Sequence, residues 1–316
     1  MISLSAERRI SLSSSISISF LRSQYSSSAR RRVGPQEAIT TANKTMATVL
    51  CTEAVRKCFS LCFTRPLEIR ANLVISNAEI KRLRRLHQKK YRDAERLFLA
   101  EGTKLMEEMA RAGVKPAGVW AAHSLNASLP FEAERISEEQ MRKISALSTP
   151  PGVLAVVPYL TDEAVTPWRG WAMYLSGVSD PGNMGTLLRI ADWFGLSAVF
   201  CSPACVDVYN PKVVQASMGA VFRVPFRQNC DSDWLQGVAE SGITVVSAEM
   251  QGTPVQDFQW PERGLLVMGS ESHGVEPGVE ALVSERVTIP RVGEAESLNV
   301  AVAAGIICSR LPVSGR

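Results

Sequence analysis

Apolar and polar positions alternate in a way that predicts a small α/β domain at residues 71–160. Leu83, Leu86 and Leu97 recur at near-helical spacing in a charged stretch that Ser76 can cap, so we expect a helix over 77–97. Short apolar runs predict strands at 98–102, 118–122 and 152–159. The stretches between them predict helices at 103–113 and 135–147.

The pattern restarts more strongly after residue 170, and it predicts a second domain at 171–316. Continuous apolar runs predict six strands, at 171–178, 197–202, 221–226, 243–249, 264–270 and 286–290. Helices are predicted at 186–195, 210–220, 231–242 and 297–311. Apolar strands that alternate with helices form a mostly parallel sheet covered on both faces, so the fold class is α/β. The charged, proline-containing segment 161–170 is the expected linker.

The composition is that of an ordinary globular protein, with 46% hydrophobic and 21% charged residues. No apolar run reaches the roughly 18 to 20 residues that a membrane span needs, so we expect none. The net charge of +4 is uneven, because residues 1–70 hold 11 Lys and Arg against four acids and leave the remainder at about −3. Affinity for nucleic acid must therefore come from local patches.

Residues 1–70 are rich in serine and arginine and poor in acids, as in SLSSSISISFLRSQYSSSARRR. This composition is typical of an organellar transit peptide that stays disordered until it is removed. A plain disordered tail is the alternative. Met46 opens a stretch that resembles a plastid transit sequence, which offers a second start and favours the chloroplast over the mitochondrion. We expect cleavage near residues 70–72.

The seven cysteines show no disulfide rhythm, and we expect them to be reduced. Cys201 and Cys205 form an isolated C-x3-C pair. A zinc site would need further ligands, and the only histidines, His87, His123 and His273, lie far apart in the sequence. We therefore predict no metal, and we interpret the cysteines as small buried apolar residues.

A cluster of seven cations lies in the first predicted helix, with no acid inside the cluster. Its members are Lys81, Arg82, Arg84, Arg85, Lys89, Lys90 and Arg92. Such a patch is suited to phosphate contacts, so we predict that it binds RNA. A solvated helix face is the alternative.

Three unusual loops follow predicted strands of the second domain. Ligands of open parallel sheets bind beyond the carboxyl ends of the strands, so we look for chemistry there. In the first loop, SDPGNMGTLLR, Pro181 and Gly182 predict a turn, Asn183 offers an amide, Gly185 permits close backbone approach, and Arg189 lies in the following helix. A plain turn before a helix with a surface arginine is the alternative.

The second loop contains Gly269, Glu271 and Gly274 within GSESHGVEPG. In the third, Ser297, Leu298 and Asn299 open an alanine-rich helix. Ser297 can also act simply as the cap of that helix.

Taken together and in this order, the motifs N-x-G-x-x-x-R, G-S-E-x-x-G and I-P…S-L-N resemble the signature motifs of the SpoU/TrmH group of SPOUT methyltransferases. The resemblance covers residues 172–311 closely, and VYNPKVVQASMGA matches another stretch typical of the group. More weakly, residues 75–160 resemble the small substrate-binding domain, similar to the ribosomal L30e fold, that many members carry.

The resemblance implies a deep trefoil knot in the C-terminal third. It also implies S-adenosylmethionine as the cofactor, held in a bent shape largely by backbone atoms of Val267, Gly269, Ile289 and Leu298. The implied catalytic residues are Arg189, Asn183, Glu271, Ser297 and Asn299.

Arg189 is the central residue of that set. In the group this arginine is often described as the general base, but a guanidinium stays protonated at ordinary pH. Binding the adjacent phosphate and stabilising the developing alkoxide is an equally physical role. His273 is an alternative base. Position 272 is Ser where many members carry Gly, so the resemblance does not determine the backbone path of that loop.

The resemblance further implies a homodimer whose site draws on both subunits. Val300, Ile306 and Ile307 of the last helix are candidates for the interface or for the knot core.

The function implied is S-adenosylmethionine-dependent methylation of a ribose 2′-hydroxyl in RNA. We favour organellar rRNA over tRNA, because a separate substrate-binding domain is more common among the rRNA modifiers of the group. An inactive RNA-binding or ribosome-assembly factor with the same fold is the alternative. A doubly wound nucleotide-dependent oxidoreductase or transferase is disfavoured, since SDPGNMG lacks the glycine fingerprint of such folds.

Overall fold

The computed structural model describes residues 75–160, 168–270 and 273–312. The predicted transit peptide and most of the predicted linker lie outside these residues. So does Glu271.

The N-terminal module is a four-stranded sheet with helices on both faces. Its strands are β1 (Leu97–Glu101), β2 (Gly118–Ala122), β3 (Glu134–Ile136) and β4 (Val153–Pro158), in the order β1-β4-β2-β3. β4 is antiparallel to β1 and β2, while β3 is parallel to β2. Its helices are α1 (Asn77–Arg85), α2 (Lys89–Glu95), α3 (Thr103–Arg111) and α4 (Glu138–Ile144). The helices α1 and α4 pack on one face of the sheet, and α3 packs on the other.

The helix predicted over 77–97 is two helices. Ser76 caps α1 as expected, because its hydroxyl accepts a hydrogen bond from the amide of Glu79 at 3.1 Å. The break follows from Arg92, whose Nη1 donates to the carbonyls of Leu86 (3.0 Å) and His87 (2.8 Å). A continuous helix would need those carbonyls for its own hydrogen bonds.

The C-terminal module is a six-stranded, fully parallel sheet in the order β10-β8-β9-β5-β6-β7. Its strands are β5 (Trp171–Ser176), β6 (Val199–Cys201), β7 (Phe226–Arg227), β8 (Thr244–Pro254), β9 (Gly264–Gly269) and β10 (Glu285–Thr288). Its helices are α5 (Pro181–Phe194), α6 (Pro211–Ala216), α7 (Ser232–Glu240), α8 (Pro277–Glu280) and α9 (Val300–Cys308). The predicted parallel α/β sheet is confirmed.

Two local predictions are wrong. The stretch 221–226 is mostly not a strand: Ala220–Phe222 forms a buried 3-10 turn, and only Phe226–Arg227 pairs with β6. A short apolar run is compatible with either structure, so periodicity could not separate them. Pro181 and Gly182 do not form a turn, because they are the first residues of α5, where proline is well tolerated.

The two modules share one hydrophobic core. Phe98 of β1 and Met106 of α3 belong to the same buried cluster as Met173 of β5 and Val213 of α6. A second cluster fills the space between the N-terminal sheet and α1 and α4, and a third lies between the C-terminal sheet and α7. The N-terminal sheet is therefore buried on both faces, one of them against the C-terminal module.

A buried ion pair also joins the modules. Arg92 is 2% exposed and Asp207 is 7% exposed. Nε of Arg92 donates to Oδ2 of Asp207 at 3.1 Å, and Nη2 donates to the same oxygen. Beside the pair, the rings of Tyr159 and Tyr209 stack with centroids 3.9 Å apart.

No helix among the described residues is both long and apolar enough to cross a membrane. None of the four cysteines among the described residues forms a disulfide. Within the same residues no group of three or more His, Cys, Asp or Glu side chains could hold a metal ion.

Candidate active site

The site is built where the carboxyl ends of parallel strands meet. Ser176, the last residue of β5, lies beside Gly269, the last residue of β9. Ser176 donates from Oγ to Glu276 Oε2 at 2.9 Å, and the amide of Glu276 donates back to Oγ at 3.0 Å. This reciprocal contact fixes the loop after β9 to the end of β5.

Asn183 and Asn299 join the first predicted loop to the third. Asn183 lies in the first turn of α5, where its amide donates to the Asp180 carboxylate at 2.8 Å. Its side-chain Oδ1 accepts a hydrogen bond from Nδ2 of Asn299 at 2.9 Å. Oδ1 of Asn299 in turn caps α9 by accepting from the amides of Ala301 (3.0 Å) and Val302 (3.3 Å). The cap of α9 is thus Asn299, and the alternative in which Ser297 caps it is wrong.

The loop after β9 folds tightly back onto that strand. The amide of Ser270 donates to the carbonyl of Gly274 at 2.9 Å, and the amide of Gly274 donates to Ser270 at 3.0 Å. A side chain at Gly269 would place its Cβ 2.4 Å from the Gly274 carbonyl carbon. Gly269 is therefore required by backbone packing, which is one physical reason for a glycine in this motif.

A cleft of about 670 Å³ lies between the loop after β9, the loop after β10 and the adjoining part of β8, and Asn183, Arg189 and Asn299 are not among the residues that line it. Its apolar lining includes Met250, Met268, Ile289, Leu298 and Val300. Its polar lining includes Glu249, Ser270, His273, Arg291 and Ser297.

Of the residues predicted to hold a cofactor, Gly269, Ile289 and Leu298 line the cleft. The Val267 side chain does not, because side chains alternate along a strand and that of Val267 is buried against the α7 face of the sheet.

Arg189 is exposed on α5 and makes no hydrogen bond or ion pair with any described residue. It follows Asn183 by six residues, which is about 9 Å along a helix axis and about 240° around it. Within one chain the side chains of Asn183 and Arg189 therefore project from different sides of α5.

Glu249 and Met250 also line the cleft, and neither was predicted from the sequence. Both lie just beyond the stretch of β8 that pairs with β9, which ends at Ser247. The sequence did indicate the strand that carries Glu249, since 243–249 was predicted to be a strand. The order of the strands, which places this part of β8 next to Gly269, was not readable from the sequence.

The seven predicted RNA-binding cations divide into three groups. Arg92 is buried against Asp207, so its predicted role in RNA binding is wrong. Arg82 is half-buried and pairs with Glu79 (2.9 Å) and Glu95 (2.8 Å). The remaining five are exposed: Lys81, Arg84, Arg85, Lys89 and Lys90.

Comparison with known proteins identifies the family. Over 241 residues, 74% of this chain and 96% of the relative, the chain is 31% identical to the 23S rRNA (guanosine(2553)-2′-O)-methyltransferase RlmP of Bacillus subtilis. The chain belongs to the SpoU rRNA methylase family. The sequence model of the SpoU family matches residues 171–309, and that of the MRM3-like substrate binding domain matches residues 77–155.

Solved structures of the SpoU/TrmH group have the same fold. A TrmH-family protein from Porphyromonas gingivalis is 38% identical and superposes with a TM-score of 0.68 over 75% of this chain and 98% of that one. The SpoU methyltransferase AviRb from Streptomyces viridochromogenes, solved with AdoMet, is 25% identical with a TM-score of 0.67 over 74% and 97% of the two chains. The predicted resemblance and fold class are confirmed, while the knot stays a prediction.

Proposed function

We propose that this SpoU-family chain transfers a methyl group from S-adenosylmethionine to a ribose 2′-hydroxyl of organellar rRNA. The observation that carries the proposal is the Asn299–Asn183 hydrogen bond, because it joins two separate family motifs beside the cleft. The names of the relatives support the reaction and the RNA class, since RlmP is a 23S rRNA 2′-O-methyltransferase.

The cleft fits the cofactor in size and in chemistry. Its volume of about 670 Å³ lies within the usual range for small-molecule sites. Met250, Ile289 and Leu298 offer an apolar surface to an adenine ring, and polar side chains lie around them. When bound, S-adenosylmethionine supplies an electrophilic methyl group on a sulfonium.

The residues of the chain then have to bind and orient the ribose. The 2′-hydroxyl must lose its proton and approach the methyl carbon in line with the bond that breaks. Arg189 stays protonated, so in our proposal it binds the neighbouring phosphate and stabilises the developing alkoxide. Asn183 and Asn299 fix the two helix ends, while Ser297 and Glu271 orient ribose and cofactor.

We further propose that the site is completed in a homodimer. Arg189 is exposed and remote from the Asn183 side chain within one chain, and the neighbouring surface is apolar: Trp193 is 83% exposed and Val302 is 52% exposed. Val300 and Ile307 are buried in the core, whereas Ile306 belongs to this exposed face. A second copy that covers α5 and α9 would remove this apolar surface from water and bring Arg189 towards the other cleft.

The proposed substrate, organellar rRNA, is supported by the exposed cations and by the composition of residues 1–70. Lys81, Arg84, Arg85, Lys89 and Lys90 offer several phosphate contacts on one module. The composition of residues 1–70 favours import into the chloroplast, with the mitochondrion as the alternative.

Mapping of ribose methylation across chloroplast and mitochondrial RNA, with and without the protein, tests the proposal. One 2′-O-methyl mark in rRNA is expected to disappear and to return with the wild-type gene. An unchanged map, combined with no affinity of the protein for S-adenosylmethionine, would favour the inactive RNA-binding factor instead.

A further inference from the structure

Glu249 is an acidic side chain of the cleft to which none of the family motifs assigns a role. It lies two residues beyond Ser247, the last residue of β8 that pairs with β9. Its side chain is 25% exposed and lines the cleft next to Met250. It therefore lies level with Gly269, the carboxyl end of β9, and the ligands of such folds bind beyond the carboxyl ends of the strands.

One oxygen of this carboxylate is held and the other is not. Oε1 of Glu249 accepts hydrogen bonds from Oγ of Ser247 and from Nε of Arg286, the latter at 3.1 Å. Ser247 is fully buried, so its hydroxyl is a fixed donor. Oε2 has no partner among the described residues, although a carboxylate oxygen can accept two hydrogen bonds.

An anchored carboxylate with one unused oxygen is well prepared to bind hydroxyl groups. Its side chain is already ordered, so little further conformational entropy is lost when a ligand binds. Hydrogen bonds to a charged acceptor are roughly twice as strong as neutral ones.

We propose that Glu249 binds the ribose of the methyl donor, with Oε2 accepting hydrogen bonds from its vicinal hydroxyls. The inference rests on the proposed function, because it assumes that S-adenosylmethionine occupies this cleft. Adenine suits the apolar surface formed by Met250, Ile289 and Leu298. The ribose is bonded directly to adenine, so its hydroxyls must lie at the edge of that surface, and Glu249 adjoins Met250 there.

The amino group of the methionine part is the other donor that a carboxylate could bind. Since the amino acid lies on the far side of the ribose from adenine, the position of Glu249 beside Met250 favours the hydroxyls. If Glu249 binds the ribose hydroxyls, its contribution to affinity is lost when the ligand lacks them. If it binds the amino group, that contribution is lost when the ligand lacks the amino acid.

Calorimetric binding to the full-length protein tests the inference with three ligands. They are S-adenosylhomocysteine, its analogue without the two ribose hydroxyls, and 5′-methylthioadenosine, which keeps the ribose and lacks the amino acid. Wild type is expected to prefer S-adenosylhomocysteine over the dihydroxyl-deleted analogue by about tenfold or more. Glu249→Ala should lose this preference, and Glu249→Gln should retain part of it, because an amide oxygen still accepts. Glu249→Ala should also bind 5′-methylthioadenosine more weakly than the wild type does, because this ligand keeps the ribose hydroxyls.

Glu280→Gln is the matched control. Glu280 also lines the cleft and also pairs with Arg286, at 3.7 Å, so this variant removes a similar charge from the same surroundings. It is expected to keep the wild-type preference, and thermal melting of each variant checks the fold.

An unchanged preference in Glu249→Ala would overturn the inference and leave the proposed function standing. So would a penalty that vanishes with 5′-methylthioadenosine, which would assign Glu249 to the amino group. A wild-type protein that binds none of the three ligands, nor S-adenosylmethionine, would overturn the proposed function and the inference together.

Discussion

Asn299 donates a hydrogen bond from Nδ2 to Oδ1 of Asn183 at 2.9 Å, across 116 residues of sequence. The same Asn299 side chain caps α9 through its oxygen. One amide therefore has two tasks, fixing the start of α9 and holding that start against the first turn of α5.

Asn299→Asp separates the two tasks. Aspartate is as good a cap as asparagine, but it has no N–H to donate to Asn183. We expect the melting temperature to change little and methyl transfer to fall by about tenfold or more, the loss of one or two hydrogen-bond energies. Asn299→Ala removes both tasks and should in addition lower stability by about 1 kcal/mol. Full activity in Asn299→Asp would show that the cap alone matters.

Arg92 is expected to be a stability residue and not an RNA contact. Arg92→Ala leaves the buried Asp207 carboxylate without its partner, and breaking such a pair typically costs about 3 to 5 kcal/mol. Chemical denaturation measures the difference. Lys81→Ala, an exposed cation of α1, is the control and should stay within about 0.5 kcal/mol of wild type. Equal stability of the two variants would contradict the role given to the buried pair.

The helix break that Arg92 causes is an example of a feature that the sequence alone did not predict. The parallel sheet and the three loops were predictable, because continuous apolar runs and local motifs are visible in the sequence itself. The break at residues 86–88 was not, since it depends on a guanidinium that Asp207 holds from 115 residues away. Glu249 was missed for a similar reason: its place in the cleft follows from the pairing of β8 with β9, which is a long-range fact.

Gly269→Ala should damage the cleft. The new Cβ would lie 2.4 Å from the Gly274 carbonyl carbon and 2.6 Å from its oxygen, so the backbone of the loop must move. Overpacking of this kind typically costs about 1 to 3 kcal/mol. We expect a lower melting temperature and weaker binding of S-adenosylmethionine, measured by calorimetry. Gly278→Ala, whose nearest contact would be an ordinary 3.5 Å, should behave like wild type. Unimpaired cofactor binding in Gly269→Ala would disprove the fit described for this loop.

Cys205 should be the most reactive described thiol at neutral pH. A hydrogen bond from Cys201 lowers the pKa of Cys205 to about 7, against the opposing effect of burial. Burial raises the pKa of Cys308 to about 12. The thiolate is the reactive form, so alkylation of Cys205 should be slow below pH 7 and fast above it, whereas Cys308 should remain unmodified.

Mass spectrometry after brief treatment with iodoacetamide over pH 5 to 9 measures the extent of alkylation at Cys205 and Cys308. Cys201→Ala removes the hydrogen bond and should move the midpoint for Cys205 upward. A midpoint above pH 8 in the wild type would contradict the stated cause.

The most direct test of the central claim is transfer of a labelled methyl group from S-adenosylmethionine to organellar rRNA by the purified protein. The label should appear on a ribose 2′-oxygen with the wild type, and it should be absent with Arg189→Ala although that variant still binds the cofactor. Wild-type protein that binds S-adenosylmethionine but labels no ribose in any organellar rRNA, or an Arg189→Ala variant that remains fully active, would contradict the account.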